Sequence, residues 1–173
     1  IKFSLLICFI FFSGLLISKT HEDFTSYHFQ HIKEISDGTI KFGLANLDER
    51  YFYSSIFSYL QSVFKLPYFD LNLLHIPIYL FYISLIGYLF IEIKYKKSFI
   101  LSIVLFLIVL KFKRLSEFGY DYIGQFILLY LFFEYIWKKT KSTSLENSKL
   151  LLIYSVSILI KISNIYFFPI IAL

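Results

Sequence analysis

The sequence predicts an all-α fold: a polytopic transmembrane helix bundle with two amphipathic juxtamembrane helices in its first outer loop. Three observations predict it. Of 173 residues, 58% are hydrophobic and 17% charged, against about 45–50% and about 25% in an ordinary soluble domain. The apolar residues fall into five runs separated by polar stretches. The lysines cluster between those runs, at Lys94, Lys96 and Lys97 and again at Lys138, Lys139, Lys141 and Lys149, as basic residues flank membrane spans.

The first run, Phe3 to Ile17, follows Lys2 and reads as a span over 3–17. The same pattern also describes a signal peptide, but Ser18-Lys19-Thr20 makes a poor cleavage site, which favours an uncleaved span. The second run gives a span over 71–91, comfortably within the range of about 17–25 residues that a crossing helix needs. The third and fourth, 98–112 and 120–137, are shorter. At about 1.5 Å per residue, the fourteen apolar residues from Phe99 to Phe112 cover roughly 21 Å of a core about 30 Å thick. They span if flanking lysines snorkel or the bilayer thins. The fifth span is 150–168, with Lys161 midway along it.

The outer loop, 18–70, holds two further helices. Phe24, Tyr27, His28, His31, Ile32 and Ile35 recur at helical spacing, and Asp37-Gly38 ends the pattern with turn chemistry. Phe52, Ile56, Tyr59, Leu60, Val63 and Phe64 repeat it until Pro67. Helices of this kind lie in the plane of the membrane interface. Basic loops after the second and fourth spans place those loops in the cytoplasm, and 18–70 and 111–121 outside. Lys111, Lys113 and Arg114 count against that orientation.

Composition excludes other classes. Hydrophobicity this high is incompatible with disorder. Six Gly and three Pro exclude collagen-like and linker sequences. The formal charge of +5 forms no basic face with interleaved stacking residues, so no nucleic acid partner is expected. Cys8 has no second cysteine to pair with. With no Met, and with an apolar run reaching Leu173, the chain reads as the N-terminal part of a larger membrane domain.

Several polar residues could carry chemistry. Glu22 and Asp23 follow the first span and precede His28, so a carboxylate base with a neighbouring proton partner is one reading. The other is that Asp23 is the N-cap of the helix starting at Phe24. His28 and His31 sit at i, i+3, and no third ligand follows at a recognisable spacing. No cofactor is therefore expected, and a divalent metal lacks support. Arg114, Glu117 and Asp121 lie in the loop after the third span, which reads equally as a solvated turn around Gly119. Lys161 is a charge at a costly depth, and such residues face a cavity or a partner.

A resemblance sharpens this. Asp23-x4-His28-x4-Lys33, then Gly43-Leu-x-Asn46-x3-Arg50 with Ser54-Ser55, the segment SEFGYDY at Ser116–Tyr122, and Lys161 with Ser163 together resemble a group of bacterial polytopic membrane proteins. That group is similar to the GT-C superfamily of membrane glycosyltransferases, which use sugars carried on polyprenyl phosphate. The resemblance implies a catalytic carboxylate early in the first outer loop, here Asp23 with Glu22 beside it. It also implies a lipid-linked sugar donor, a site on the extracytoplasmic side of a bacterial inner membrane, and contact with membrane lipid. His28, Lys33, Arg50, Arg114, Glu117, Asp121 and Lys161 are then the candidate substrate-binding residues. Alternative readings are a polytopic transporter or flippase, a polysaccharide polymerase of envelope glycan biosynthesis, and a membrane subunit without chemistry. Oligomeric state is left open.

Overall fold

Each apolar run of the sequence becomes a helix, and two of them stop earlier than their composition suggests. The computed structural model describes residues 2–16, 23–38, 42–53, 55–66, 71–117, 119–138 and 144–169, and these are helical or in turns, with no strand. Helix α1 is Lys2–Leu16. The first amphipathic segment opens with a π turn, Phe24–His28, and continues as α2, Phe29–Ser36. It ends as its chemistry predicts: Asp37 N–H donates to the Lys33 carbonyl, Gly38 N–H donates to the Ile35 carbonyl, and Gly38 takes a φ of +76°. That left-handed conformation is accessible to glycine without a Cβ penalty.

A short α3, Leu44–Leu47, and a 3₁₀ turn, Glu49–Tyr53, lead to α4, Ile56–Val63. Ser55 caps α4 by accepting from Phe57 N–H. After a 3₁₀ turn at Leu71–His75, α5 runs from Ile76 to Lys96 with Pro77 in its first turn and Lys94 and Lys96 in its last. Both placements suit a helix, because proline has no N–H to lose there and cations favour the C-terminal end of the dipole. Lys97 in the left-handed region and Ser98, which caps the next helix, turn the chain directly into α6, Phe99–Leu110. A 3₁₀ turn at Phe112–Ser116 precedes α7, Asp121–Lys138, and α8 is Ser144–Ile160.

Among the described residues, one helix, Leu73–Lys96, is long and apolar enough to cross a membrane. Helix α6 has 12 residues, about 18 Å of rise. It is therefore shorter than the 98–112 span expected from composition. The fifth run departs further. It is not one helix over 150–168: α8 ends at Ile160, Lys161 is extended (φ −145°, ψ 112°), and a 3₁₀ turn occupies Ile162–Phe167. Lys161 therefore sits at a break, and not at a helix centre. The break is held by side chains. Asn164 Nδ2 donates to the Ser157 carbonyl at 3.0 Å, and the Tyr154 hydroxyl donates to the Asn164 and Ile165 carbonyls at 3.1 and 2.9 Å.

The core joins α1, α4, α5, α6, α7 and α8 around Tyr82, Ile108, Ile123 and Tyr130. Tyr82 is fully buried and its hydroxyl donates to the Ile108 carbonyl at 2.7 Å, which ties α5 to α6. The Tyr79 hydroxyl donates to the Cys8 carbonyl and ties α5 to α1. A smaller cluster of Phe24, Ile32 and Leu74 seats the α2 segment on the start of the long helix.

Helix α4 is turned the opposite way from a helix in a water-soluble protein. Its buried side chains are Phe57, Ser58 and Gln61, while Ile56, Tyr59, Leu60 and Val63 face outward. Outward apolar faces also line α1 (Phe9, Ile10) and α6 (Phe99, Phe106). Large apolar side chains exposed in this number along helix faces point to an interaction surface.

Candidate functional site

The α2 segment, the start of α7 and the turn between α6 and α7 meet at one end of the bundle. Tyr120 is the joint: its ring meets His28 edge-on at 5.3 Å and stacks on Phe57, and its hydroxyl accepts from Ser58 at 3.3 Å. Gly14 of α1 lets Leu115 of the same turn approach, with side-chain atoms 3.6 Å from where a Cβ would stand. The inter-helix turn is thereby fixed beside the outer segment.

Two cavities open at this end. The first, about 280 Å³, is lined by Asp23, Tyr27, His28, Lys111, Arg114, Glu117, Gly119, Asp121, Tyr122, Gln125 and Phe126. The second, about 450 Å³, is lined by Asp23, Tyr27, Arg50, Tyr120, Asp121, Ile160, Lys161, Ile162 and Ser163. Asp23, Tyr27 and Asp121 belong to both, so the two form one cleft with a shared wall.

Charge is distributed in pairs across it. Lys161 Nζ lies 2.6 Å from Asp121 Oδ2, across 40 residues of sequence. Arg114 pairs with Glu117 three residues on, and Glu117 is buried. Arg50 sits 5.3 Å above the Tyr27 ring, a cation–π contact. Asp121 opens α7, where the positive end of the helix dipole favours a carboxylate. The Tyr27 phenol is pushed up to about 12, first by burial and then by Tyr120, Asp23 and Asp121, with Arg50 opposing. At neutral pH it is therefore an uncharged phenol on the wall it shares with Asp23 and Asp121.

Of the residues expected from sequence, Asp23, His28, Arg50, Arg114, Glu117, Asp121 and Lys161 line the cleft. Lys33 does not: it is exposed on α2 and lines neither cavity. Glu22 lies outside the described residues. The capping reading of Asp23 does not hold, because Asp23 has helical dihedrals (φ −69°, ψ −16°) and its side chain makes no capping hydrogen bond. The π turn that follows replaces a conventional helix start, and π turns are frequent at functional sites. His28 and His31 point to different neighbours: His28 meets Tyr120, while His31 stacks on Tyr51 at 5.0 Å. Among the described residues, no group of three or more His, Cys, Asp or Glu is placed to hold a metal.

Sequence reasoning missed Tyr27, Tyr120, Tyr122, Lys111, Gln125 and Ser163 as cleft residues. With 15 Tyr and 22 Phe in the chain, no tyrosine stands out by type. Tyr122 is distinctive only in three dimensions: its hydroxyl is buried at the cleft wall without a hydrogen-bond partner among the described residues. Leaving such a group unpaired costs about 1–3 kcal/mol, so Tyr122 is a candidate donor to whatever fills the cavity.

A third cavity, about 280 Å³, is a groove between α5, α7 and α8 lined by apolar and aromatic side chains including Phe81, Ile127, Leu152 and Val156. Val156 is four residues from the cleft residue Ile160 on α8, about 6 Å along a helix. The groove and the cleft thus touch α8 one turn apart. At the groove's far end Tyr88 and Tyr130 share a hydrogen bond, and Lys96 bridges Glu92 and the buried Glu134.

Fold and site together define an all-α protein with a charged, two-chambered cleft at one end of its bundle and an apolar groove next to it. The chain belongs to the family described as Domain of unknown function (DUF8201), whose model matches residues 1–173. No curated protein and no solved structure matches the chain.

Proposed function

We propose that this chain is the membrane-embedded part of a polytopic glycosyltransferase that moves a sugar from a polyprenyl-phosphate carrier to an extracytoplasmic acceptor, an envelope glycan or lipid. The observation that carries the reading is that a charged cleft holding Arg50 and Lys161 and an apolar groove meet α8 one turn apart. An amphiphile with an anionic head and a hydrocarbon tail suits both parts. Arg50 and Lys161 offset the charge of the phosphate, and the guanidinium of Arg suits bidentate contact with it. Asp23, shared by both chambers, takes the proton from the acceptor hydroxyl as its oxygen attacks the anomeric carbon and the bond to phosphate breaks. Tyr27 and His28 orient the acceptor from the same segment, and Arg114 is held toward the first chamber by Glu117.

The outward apolar stripe of α4 supports placing this end at a bilayer surface, with α4 as an interfacial helix and the long helix Leu73–Lys96 spanning beside it. In that reading the protein is integral to a bacterial inner membrane and the cleft faces the extracytoplasmic side. Transfer from a polyprenyl-phosphate sugar, measured with Asp23→Asn and Asp23→Ala at normal membrane abundance, tests the role of Asp23. The proposal expects a loss of about 10²–10⁴-fold, the usual contribution of a positioned base. Activity retained by both variants would sink it.

A transporter or flippase is the second reading, and the break at Lys161 favours it, because transporters build sites from discontinuous helices. Those sites lie at mid-depth, whereas Lys161 pairs with Asp121 at the first residue of α7. Lipid scrambling by reconstituted vesicles that depends on Lys161, without sugar transfer, would favour this second reading.

A further inference from the structure

Four polar or small residues around the break act on one charged side chain. Lys161 N–H still accepts its place in the helix by donating to the Ser157 carbonyl at 3.0 Å, but the chain then turns out of α8. The turn closes on Asn164, whose backbone N–H donates to the Lys161 carbonyl at 2.9 Å and whose side-chain amide donates to the same Ser157 carbonyl at 3.0 Å. Asn164 is buried, at 4% exposure, although the residues on either side of it are exposed. Its room is made by Gly124 on α7: a Cβ at that position would stand 3.0 Å from Asn164 Nδ2, 3.6 Å from Ile160 and 3.7 Å from the Lys161 Cβ. A Cβ contact that short forces the neighbour to shift. Tyr154 locks the turn from the other side through the Asn164 and Ile165 carbonyls.

These contacts give partners to the Ser157, Lys161, Asn164 and Ile165 carbonyls around the break, and they also fix the direction of Lys161. An uninterrupted α8 would swing its Cβ by the difference between a helical φ of about −63° and the observed −145°. We infer that Asn164 is a positioning residue: packed into the space left by Gly124, it breaks α8 so that the Lys161 ammonium meets Asp121 in the cleft. The inference rests on the carrier reading only for what Lys161 then binds; the positioning itself stands apart from it.

Zero-length cross-linking of the intact protein by a water-soluble carbodiimide tests this, because it joins an amine and a carboxylate only in contact. The Lys161–Asp121 isopeptide, quantified by peptide mass spectrometry, is compared with the Lys149–Glu92 isopeptide at the other end of the bundle, where the pair is 3.3 Å apart. Asn164→Leu keeps the branched outline, with somewhat larger end groups, and removes the donor. The expected result is a drop of about fivefold or more in the Lys161–Asp121 product with the Lys149–Glu92 product unchanged. An unchanged Lys161–Asp121 yield in Asn164→Leu overturns the inference. Should both products vanish, the fold is lost and Gly124→Ala decides: a selective fall of about twofold or more supports the inference, and an unchanged yield overturns it. Polyprenyl phosphate added to the wild-type protein tests the functional reading separately, since phosphate competes with Asp121 for the ammonium. A yield unmoved by the lipid, with the Asn164→Leu effect intact, refutes the carrier and leaves the positioning role standing.

Discussion

The Lys161–Asp121 pair makes opposite predictions for its two members, and this is the sharpest consequence of the cleft geometry. The side chains are 36% and 58% exposed, at 2.6 Å. Solvent screening at that exposure limits their mutual stabilisation to about 0.2–1 kcal/mol, so neither Lys161→Gln nor Asp121→Asn should unfold the protein. Their effects on a bound phosphate differ in sign. Lys161→Gln removes a charge-assisted hydrogen bond of about 1.5–3 kcal/mol, which weakens binding by roughly ten- to a hundredfold. Asp121→Asn removes a carboxylate that occupies the ammonium before ligand arrives, so polyprenyl phosphate should bind more tightly, by up to about fivefold for a pair worth at most about 1 kcal/mol. The double variant should bind no better than Lys161→Gln. Isothermal titration in detergent, at one fixed ionic strength, measures all four proteins. Equal weakening by Asp121→Asn and Lys161→Gln would refute the reasoning, since it would make the carboxylate a ligand of the substrate and not a competitor for the lysine.

Three further outcomes follow from other parts of the molecule. Burial lowers the His31 pKa below its usual 6.5, so the unfolded chain takes up a proton more readily than the folded one; the stabilising contribution is full above about pH 6.5 and is lost as pH falls below it. The thermal midpoint should therefore fall between about pH 8 and about pH 5.5 by more in the wild type than in His31→Phe, which keeps the stack on Tyr51. Glu134 is 1% exposed and paired to Lys96 at 2.7 Å; Glu134→Ala should destabilise the protein by about 3 kcal/mol, the low end for a broken buried pair, because Glu92 still holds Lys96. Its affinity for polyprenyl phosphate should not move, and a matching loss of affinity would contradict the separation of the two ends. Val63→Trp, made with Trp137→Phe so that it carries the only tryptophan, should be quenched by brominated phospholipid in vesicles; quenching by aqueous acrylamide alone would place α4 in water.

How much was legible in the sequence depends on whether the information was local. The five apolar runs mark helices because burial from water or enclosure in lipid leaves a helix as the simplest way to satisfy the backbone. Asp37-Gly38 marks an end because turn chemistry acts within a few residues; Ser55, Pro77 and Ser98 act at helix starts in the same local way but were not singled out. Periodicity grouped Phe52, Ile56, Tyr59, Leu60, Val63 and Phe64; Ile56, Tyr59, Leu60 and Val63 do share the outward face of α4, but Phe52 falls in the preceding 3₁₀ turn and Phe64 is the C-cap, and period alone does not say whether a face looks in or out. The break in the fifth run had a trace in Lys161, Ser163 and Asn164 interrupting an apolar stretch. The space that admits Asn164, at Gly124, lies 40 residues before it in sequence and was invisible to any local pattern. The cleft was partly legible, because the resemblance pointed to charged residues of the outer segments and Lys161 interrupts an apolar run, where a charge is costly. Its tyrosines were not, since tyrosine is common throughout this chain. Lys33 was singled out by the resemblance at a position that folding leaves on the exposed side of α2.

The central claim is that one amphiphile occupies cleft and groove together, and photo-cross-linking tests it most directly. A polyprenyl phosphate bearing a diazirine near the phosphate end of its chain, irradiated with the intact protein, should label the groove peptides of α7 and α8 that contain Ile127 and Val156. Arg50→Ala and Lys161→Gln should each reduce that labelling about tenfold or more, as the loss of one charge-assisted contact implies. Labelling confined to the outward faces of α1 and α6, and indifferent to both substitutions, would contradict the account.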